Sequence, residues 1–122
     1  MAKILVVDDS EIVRDQVSKA LEEGGHNVIL GVDGVDGLAK ANENEGIQLV
    51  LADVNMPEMD GITMVKKIKE LDKYKEVPIF MLTTESGADL KAKGKSAGVM
   101  AWVLKPFTSD KILAAIKQVV GE

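Results

Sequence analysis

The sequence has no cysteine, few aromatic residues and no long hydrophobic run. Without cysteine there can be no disulfide, no thiolate chemistry and no cysteine-bound zinc. No stretch approaches the ~18 apolar residues of a membrane span, and the apolar run near the N-terminus is too short for the core of a signal peptide. With only 3% aromatic residues, the core must consist mainly of aliphatic side chains. The single histidine, His26, precedes a predicted strand, and we expect it at the surface, away from any site.

The length and charge of the chain limit the classes of protein to which it can belong. A chain of 122 residues can close one hydrophobic core, so we predict a single domain, 1–122. Its net charge of −5 at pH 7 disfavours a general attraction to nucleic acid, and no nucleic-acid partner is expected. The lack of cysteine and of a targeting or membrane segment is typical of a cytoplasmic protein, and we expect a monomer without membrane association.

Short apolar runs alternate with amphipathic stretches along the chain, which is typical of a parallel α/β sheet. Runs of branched residues without polar interruption indicate strands that are covered on both faces. The pattern therefore predicts a single doubly wound α/β fold of five β–α units, although it does not determine the order of the strands. The predicted strands are 4–7, 28–30, 49–51, 79–82 and 100–104.

Apolar stripes with helical spacing predict the helices between these strands. The fourth helical segment, 86–96, has the poorest stripe, because Gly87 and Gly94 belong to it and an interior glycine costs about 1 kcal/mol relative to alanine. We predict a marginal and mobile helix there. The better stripes are Ile12, Val13, Val17, Ala20 and Leu21 in the first helix, Val35, Leu38, Ala39 and Asn42 in the second, Met64, Ile68 and Leu71 in the third, and Ile112, Leu113, Ile116, Val119 and Val120 in the fifth.

Polar side chains follow four of the five predicted strands. Ligands of open α/β sheets bind at the carboxyl ends of the strands, so these side chains would share one edge if their strands are neighbours. Each has an ordinary structural explanation, such as helix capping for an aspartate pair, and only their joint occurrence indicates a site. They are Asp8 and Asp9 after the first strand, Asp53 after the third, Thr83 and Thr84 after the fourth, and Lys105 after the fifth.

A cluster of three carboxylates has specific chemistry. Neighbouring carboxylates raise one another's pKa values, and a hard divalent cation relieves this repulsion. Mg²⁺ suits such a site, because it takes one or two carboxylates and leaves positions for waters or phosphate oxygens. A carboxylate is also a competent nucleophile, while Lys105 could neutralise a phosphoryl oxygen and Thr83 could donate a hydrogen bond to another. The cluster therefore predicts a Mg²⁺ site suited to a phosphoryl group.

Segments 4–10, 49–61, 81–84 and 104–107 resemble the receiver domains of two-component response regulators, and in particular the stand-alone chemotaxis regulators of the CheY type. The resemblance covers the whole chain in order. It rests on the combination Asp-Asp, Asp-x-x-Met-Pro-x-x-Asp-Gly, Thr and Lys-Pro-Phe, which is highly specific. It implies a flavodoxin-like (βα)5 fold with strand order 2-1-3-4-5. It also implies a signalling switch that is not an enzyme beyond promoting its own phosphotransfer and autodephosphorylation.

The resemblance also implies a role for each site residue. Asp53 would accept a phosphoryl group from a chemotaxis-type histidine kinase, and Lys105, preceding a cis bond to Pro106, would pair with Asp53. Asn55 and Glu85 would tune the rate of autodephosphorylation, and polar residues at both positions favour a short-lived signal. The implied Mg²⁺ ligands are the side chains of Asp9 and Asp53, the backbone carbonyl of Asn55, and Asp8 acting through a water.

The same resemblance implies a conformational switch formed by Thr83 and Trp102. Phosphorylation would draw Thr83 toward the phosphoryl group and leave room for the ring of Trp102 to turn inward. The surface of the fourth helix, fifth strand and fifth helix would change as a result. Tryptophan replaces the commoner tyrosine or phenylalanine, and its N–H favours a polar partner when buried. An ordinary half-buried tryptophan is the alternative interpretation.

The partner on this surface is left open by the sequence. A flagellar motor switch component, a kinase, a phosphatase or another enzyme would each fit the resemblance, and so would a role as a phosphate sink for another regulator. A locally basic face is ordinarily a solvated one, but here it could also dock an acidic peptide. The residues of this face are Lys91, Lys93, Lys95 and Lys111.

Three other functions are disfavoured by particular residues. A phosphatase of the haloacid dehalogenase type needs a second carboxylate two positions after its nucleophile, where this chain has Asn55, and the chain has no room for a cap domain. A flavodoxin-like electron carrier needs backbone donors for the phosphate after the first strand, where Asp8 and Asp9 would repel it. A receiver-like protein that does not use phosphorylation would not need all five active-site side chains.

Overall fold

The computed structural model describes residues 2–84, 87–105 and 107–120, without the side chain of Val120. Its strands and helices alternate along the chain, and a short 3₁₀ turn, Asp72–Tyr74, precedes the fourth strand. No helix among the described residues is both long enough and apolar enough to cross a bilayer. The strands are β1 (Lys3–Val7), β2 (Asn27–Gly31), β3 (Leu49–Ala52), β4 (Ile79–Thr83) and β5 (Ala101–Leu104), and the helices are α1 (Glu11–Glu23), α2 (Gly34–Glu43), α3 (Gly61–Lys69), α4 (Ala88–Ala97) and α5 (Ser109–Val120).

The five strands form one parallel sheet in the order β2-β1-β3-β4-β5. The predicted fold class and strand order are therefore confirmed. Alternate strand residues point to opposite faces and divide the core into two clusters. Phe80 and Leu82 belong to the cluster covered by α1 and α5, whereas Ile79 and Met81 belong to the cluster covered by α2, α3 and α4.

Burial along the strands depends on their position in the sheet. Every residue of β3 and β4 is buried, as are four of the five residues of β1. The edge strands differ, since Leu30 of β2 is 36% exposed and Leu104 of β5 is 40% exposed. The prediction that all five strands are covered on both faces is thus right for the central three and wrong for the edges, where a neighbouring strand lies on one side only.

Two of the predicted helix stripes are partly wrong. Ile12 at the start of α1 is 71% exposed, and Val35 in α2 is 50% exposed. The buried side of α2 consists of Gly34, Gly37 and Ala41. A Cβ on Gly37 would lie within 3 Å of Met64 Sδ and of both methyl groups of Val7, so α2 packs closely through glycine. Small residues that form a packing face do not stand out as an apolar stripe.

The fourth helix forms, as predicted, but it buries little. Among its described residues only Gly94 and Ala97 are buried, and Leu90 is half-buried. Gly87 is its N-cap and provides no side-chain hydrogen bond, while Gly98 ends the helix in the left-handed conformation at φ 104°. The weak burial fits the poor stripe in the sequence, and the predicted mobility stays a prediction.

His26 is buried, so its predicted surface position is wrong. The residue is 7% exposed, and its Nδ1 accepts a hydrogen bond of 3.0 Å from the backbone N–H of Ala2. The N–H of Asn27 in turn donates to the carbonyl of Ala2 at 2.8 Å. The histidine therefore joins the start of β1 to the start of β2, at the end of the sheet opposite to the site described next.

Candidate functional site

The carboxyl ends of β1, β3, β4 and β5 carry the polar residues that the sequence analysis selected. Backbone hydrogen bonds continue the sheet past the ends of the strands and position these residues. The N–H of Asp53 donates to the carbonyl of Val7 at 3.0 Å, and the N–H of Lys105 donates to the carbonyl of Thr83 at 3.0 Å. Side chains that are far apart in sequence thereby meet at one edge of the sheet.

Lys105 joins the two most buried carboxylates of the site. Its Nζ lies 2.8 Å from Asp8 Oδ2 and 3.3 Å from Asp53 Oδ2. Burial alone would lower the pKa of this lysine, but the hydrogen bond and negative charge of Asp8, together with Asp53, raise the pKa above its ordinary value. Lys105 is therefore an ammonium ion throughout the physiological pH range.

Asp8 is held at both carboxylate oxygens and at its backbone. It is 1% exposed, and its Oδ1 accepts a hydrogen bond of 2.9 Å from the N–H of Ser10, which caps α1. The guanidinium of Arg14 donates to the carbonyl of Asp8 at 2.7 Å. The sequence analysis missed Arg14, because an arginine in the first turns of a helix is ordinarily a solvated residue.

Asp53 is half-buried and is held in a single orientation. Its Oδ1 accepts a hydrogen bond of 2.7 Å from the N–H of Val54, while its Oδ2 faces Lys105. Partial desolvation raises the pKa of Asp53, the charge of Lys105 opposes this effect, and the charge of Asp8 adds to it. The carboxylate thus lies in a region that already has an excess of negative charge.

The three carboxylates could hold a cation together. Each of Asp8, Asp9 and Asp53 offers one oxygen within 4.8 Å of the others. Three carboxylates and the single ammonium of Lys105 leave two negative charges, which a divalent cation would balance. Hard oxygen donors of this kind suit Mg²⁺. Asn55 lies in the loop after β3 and is exposed, and the assignment of its backbone carbonyl to the metal stays a prediction.

The loop between β3 and α3 folds back onto the end of β3. The N–H of Gly61 donates to the carbonyl of Val54 at 2.8 Å, and a Cβ at position 61 would collide with the backbone carbonyl oxygen of Asp53. Asp60 caps α3, accepting hydrogen bonds from the N–H and from the hydroxyl of Thr63. The Asp-Gly pair of the motif therefore sets the position of α3 relative to Asp53.

One residue in this loop has a strained backbone that the sequence does not reveal. Glu58 has φ 70°, in the left-handed region that non-glycine residues rarely adopt. The N–H of Met59 donates to the carbonyl of Pro57 at 2.7 Å, which makes Glu58 the central residue of a γ-turn. Strain of this kind is often stored next to functional sites.

Thr83 and Trp102 lie on the same face of the sheet, the face covered by α3 and α4. In the register of β4 and β5, Trp102 is paired with Met81 and Thr83 with Leu104, so the two residues are one diagonal step apart. Thr83 is 1% exposed and Trp102 is half-buried. Their role as a switch stays a prediction. Glu85 and Pro106, with their predicted roles, lie outside the described residues.

Comparison with known proteins identifies the family. Residues 4–117 match the model of the response regulator receiver domain. The chain belongs to this family. The family resemblance found in the sequence is therefore confirmed, and the chain is a CheY-like signalling receiver of the two-component type.

Individual relatives add detail to the resemblance. The chain is 37% identical to the chemotaxis protein CheY homolog of Campylobacter jejuni, an alignment that covers 98% of this chain and 92% of the relative. The structure of Vibrio cholerae CheY4 superposes with a TM-score of 0.94 at 40% identity, covering 98% and 99% of the two chains. The CheX–CheY–BeF₃–Mg²⁺ complex of Borrelia burgdorferi matches with a TM-score of 0.89 at 29% identity, covering 97% and 88%.

Proposed function

We propose that this protein is a single-domain, phosphorylation-activated switch of a chemotaxis-type two-component system, with Asp53 as the phosphoacceptor. The observation that carries this proposal is the position of Lys105, whose Nζ contacts both Asp8 and Asp53 beside a three-carboxylate cluster. If Asp53 were the only carboxylate present, the ammonium of Lys105 would simply neutralise it. Here two more carboxylates, Asp8 and Asp9, outweigh the lysine and leave two negative charges that a divalent cation would balance.

The chemistry follows from the side chains. A carboxylate oxygen of Asp53 attacks the phosphorus of a phosphohistidine, the P–N bond breaks, and the donor imidazole leaves with the bonding electrons. The ammonium of Lys105 neutralises one phosphoryl oxygen, and the Thr83 hydroxyl donates to another. Mg²⁺ would be held by Asp9, Asp53 and the Asn55 carbonyl, with Asp8 acting through a water, and would supply the remaining counter-charge.

The response uses Thr83 and Trp102. Movement of Thr83 toward the phosphoryl group vacates space on the face of the sheet that also carries Trp102, and the ring turns into it. The surface of α4, β5 and α5 then favours a partner, which would be a flagellar motor switch component, a phosphatase or the kinase itself. The lifetime of the phosphoryl group depends on Asn55 and Glu85. We place the protein in the cytoplasm as a monomer.

The CheY relatives support the chemotaxis assignment, and the Borrelia burgdorferi complex supports Mg²⁺ and a phosphatase of the CheX type as partners. The basic residues on α4 and α5 support an acidic docking segment on the partner, since all four are exposed: Lys91, Lys93, Lys95 and Lys111. Binding that is steered by these charges should weaken as salt is raised, and binding that is independent of salt would contradict this part of the proposal.

The test is incubation with acetyl phosphate and Mg²⁺, followed by measurement of the intact mass. We expect the mass of one phosphoryl group on the native protein and none on Asp53→Asn. Asp60→Asn is the matched control, because it removes a carboxylate from the same loop and leaves a residue that still caps a helix, and it should be phosphorylated normally. A mass gain that survives Asp53→Asn or chelation of the metal would contradict the proposal.

A further inference from the structure

Gly94 lies where the ring of Trp102 meets α4. A Cβ built on Gly94 would lie 2.7 Å from Cζ2 and 3.5 Å from Cε2 of the indole. Carbon atoms that are not bonded to each other are in favourable contact at about 3.5–4.0 Å, so the first of these distances is too short for any side chain. The ring therefore occupies the space that a side chain at position 94 would fill.

The backbone of α4 gives no other reason for a glycine at this position. Gly94 is a helical residue in the interior of α4, without the positive φ that distinguishes Gly98 at the end of the helix. Glycine in a helix interior weakens the helix relative to alanine. Gly87, at the start of the same helix, has no neighbour within 4 Å of its virtual Cβ. The reason for a glycine therefore differs between positions 87 and 94, and of the two only Gly94 faces an aromatic ring.

Among the described residues, no polar contact anchors the ring of Trp102. The indole N–H donates no hydrogen bond in the described part of the chain. The indole nitrogen is also not among the buried polar atoms that lack a partner. The orientation of the ring is consequently set by the shape of its surroundings. The helix backbone at Gly94 is the part of those surroundings that borders the Cε2–Cζ2 edge of the indole.

We propose that Gly94 and Trp102 form a matched steric pair. Because Gly94 has no side chain, the indole ring can occupy the space next to α4, and residue 94 thereby acts as a positioning residue for the switch. Any side chain at position 94 displaces the ring outward or pushes α4 away from β5. The steric pair itself does not depend on phosphorylation. Its link to signalling rests on the proposed function, because it is there that the ring changes position when Asp53 is phosphorylated.

The direct test uses intrinsic fluorescence, which reports this ring alone because Trp102 is the single tryptophan in the chain. Gly94→Ala should shift the emission of Trp102 to longer wavelength and increase its quenching by acrylamide, because the ring moves toward solvent. Gly87→Ala, with open space around its new methyl group, should change neither property. Unchanged emission and quenching in Gly94→Ala would overturn the proposal.

A thermodynamic cycle gives a second test that does not depend on the fluorescence signal. With Trp102 present, Gly94→Ala should lower the urea midpoint, because the new methyl group collides with the ring. In the Trp102→Val background the same substitution should raise the midpoint, because the collision is gone and alanine favours the helix. An effect of Gly94→Ala with the same sign in both backgrounds would contradict the steric pair.

The link to signalling has its own readout. Beryllofluoride with Mg²⁺, used as a phosphoryl mimic, should change the Trp102 emission of the native protein and change it much less in Gly94→Ala. The intact-mass assay with acetyl phosphate should still give phosphorylation of Gly94→Ala at Asp53. Failure of that assay in the native protein would overturn the proposed function, whereas equal emission changes in the two proteins would overturn the positioning role of Gly94.

Discussion

Helices α3 and α4 cover the same face of the sheet but are held by very different amounts of buried surface. Five of the nine residues of α3 are buried, and Asp60 caps its first turn. Only Gly94 and Ala97 are buried in α4, and its N-cap residue Gly87 provides no side-chain hydrogen bond. The helix that follows the loop of Asp53, the proposed phosphoacceptor, is thus firmly packed, whereas α4, part of the proposed output surface, buries little. If Asp53 is phosphorylated as proposed, we expect a modest free energy to move α4 while the loop of Asp53 stays in place.

The largest expected change in stability comes from shortening an apolar side chain that packs between a helix and the sheet, and it should be much larger in α3 than in α4. Ile68→Ala in α3 should lower the free energy of unfolding by about 2–5 kcal/mol, because Ile68 is fully buried. Leu90→Ala in α4 should cost about 1 kcal/mol, because Leu90 is only half-buried. Urea unfolding of both variants measures the difference. Equal losses would show that α4 is held as firmly as α3.

A somewhat smaller loss is expected where α3 meets the site. Gly61→Ala should cost about 3 kcal/mol, because its methyl group would collide with a backbone atom, the carbonyl oxygen of Asp53, which no rotamer change can move. Gly87→Ala at the start of α4 serves as the control and should cost at most about 1 kcal/mol, because its methyl group meets no neighbour and only the poorer N-cap preference of alanine counts against it. If Gly61→Ala unfolds at the native urea midpoint, α3 is not fixed to Asp53 in the way described.

The caps of the two helices should differ by about 1 kcal/mol. Asp60→Ala removes two hydrogen bonds at the start of α3 and should cost about 0.5–2 kcal/mol. Gly87→Asp adds a capping carboxylate to α4 and should gain a few tenths of a kcal/mol. Amide hydrogen exchange in the first turns of α3 and α4 would locate each effect. Slower exchange of α4 than of α3 in the native protein would contradict the comparison.

The smallest expected change in stability is its dependence on pH through His26, which lies in neither α3 nor α4. Burial lowers the pKa of His26 below its ordinary value of 6.5, and its Nδ1 must be unprotonated to accept the N–H of Ala2. The unfolded chain thus binds the proton more readily, so this stability is complete above pH 6.5 and is lost as the pH falls through the folded-state pKa. The urea midpoint should fall over this range in the native protein and fall less in His26→Gln; parallel curves would contradict the assignment.

The sequence predicted most of the architecture and the location of the site, because both depend on local patterns. Uninterrupted branched runs define the strands, and a polar residue that follows a buried strand can only lie at its end, as Asp8 and Asp53 do. The strand order came from the family resemblance. The errors concern packing between distant segments. Neither the glycine side of α2 nor the buried position of His26 leaves a periodic signal in the sequence.

The most direct measurement of the central claim is chemical trapping of the phosphorylated residue. After reaction with acetyl phosphate and Mg²⁺, borohydride reduction converts an aspartyl phosphate to homoserine, and peptide mass mapping finds its position. We expect homoserine at position 53 alone, and none when the metal is chelated. Homoserine at position 8 or 9, or a phosphoryl group that leaves no homoserine after reduction, would contradict the assignment of Asp53 as the phosphoacceptor.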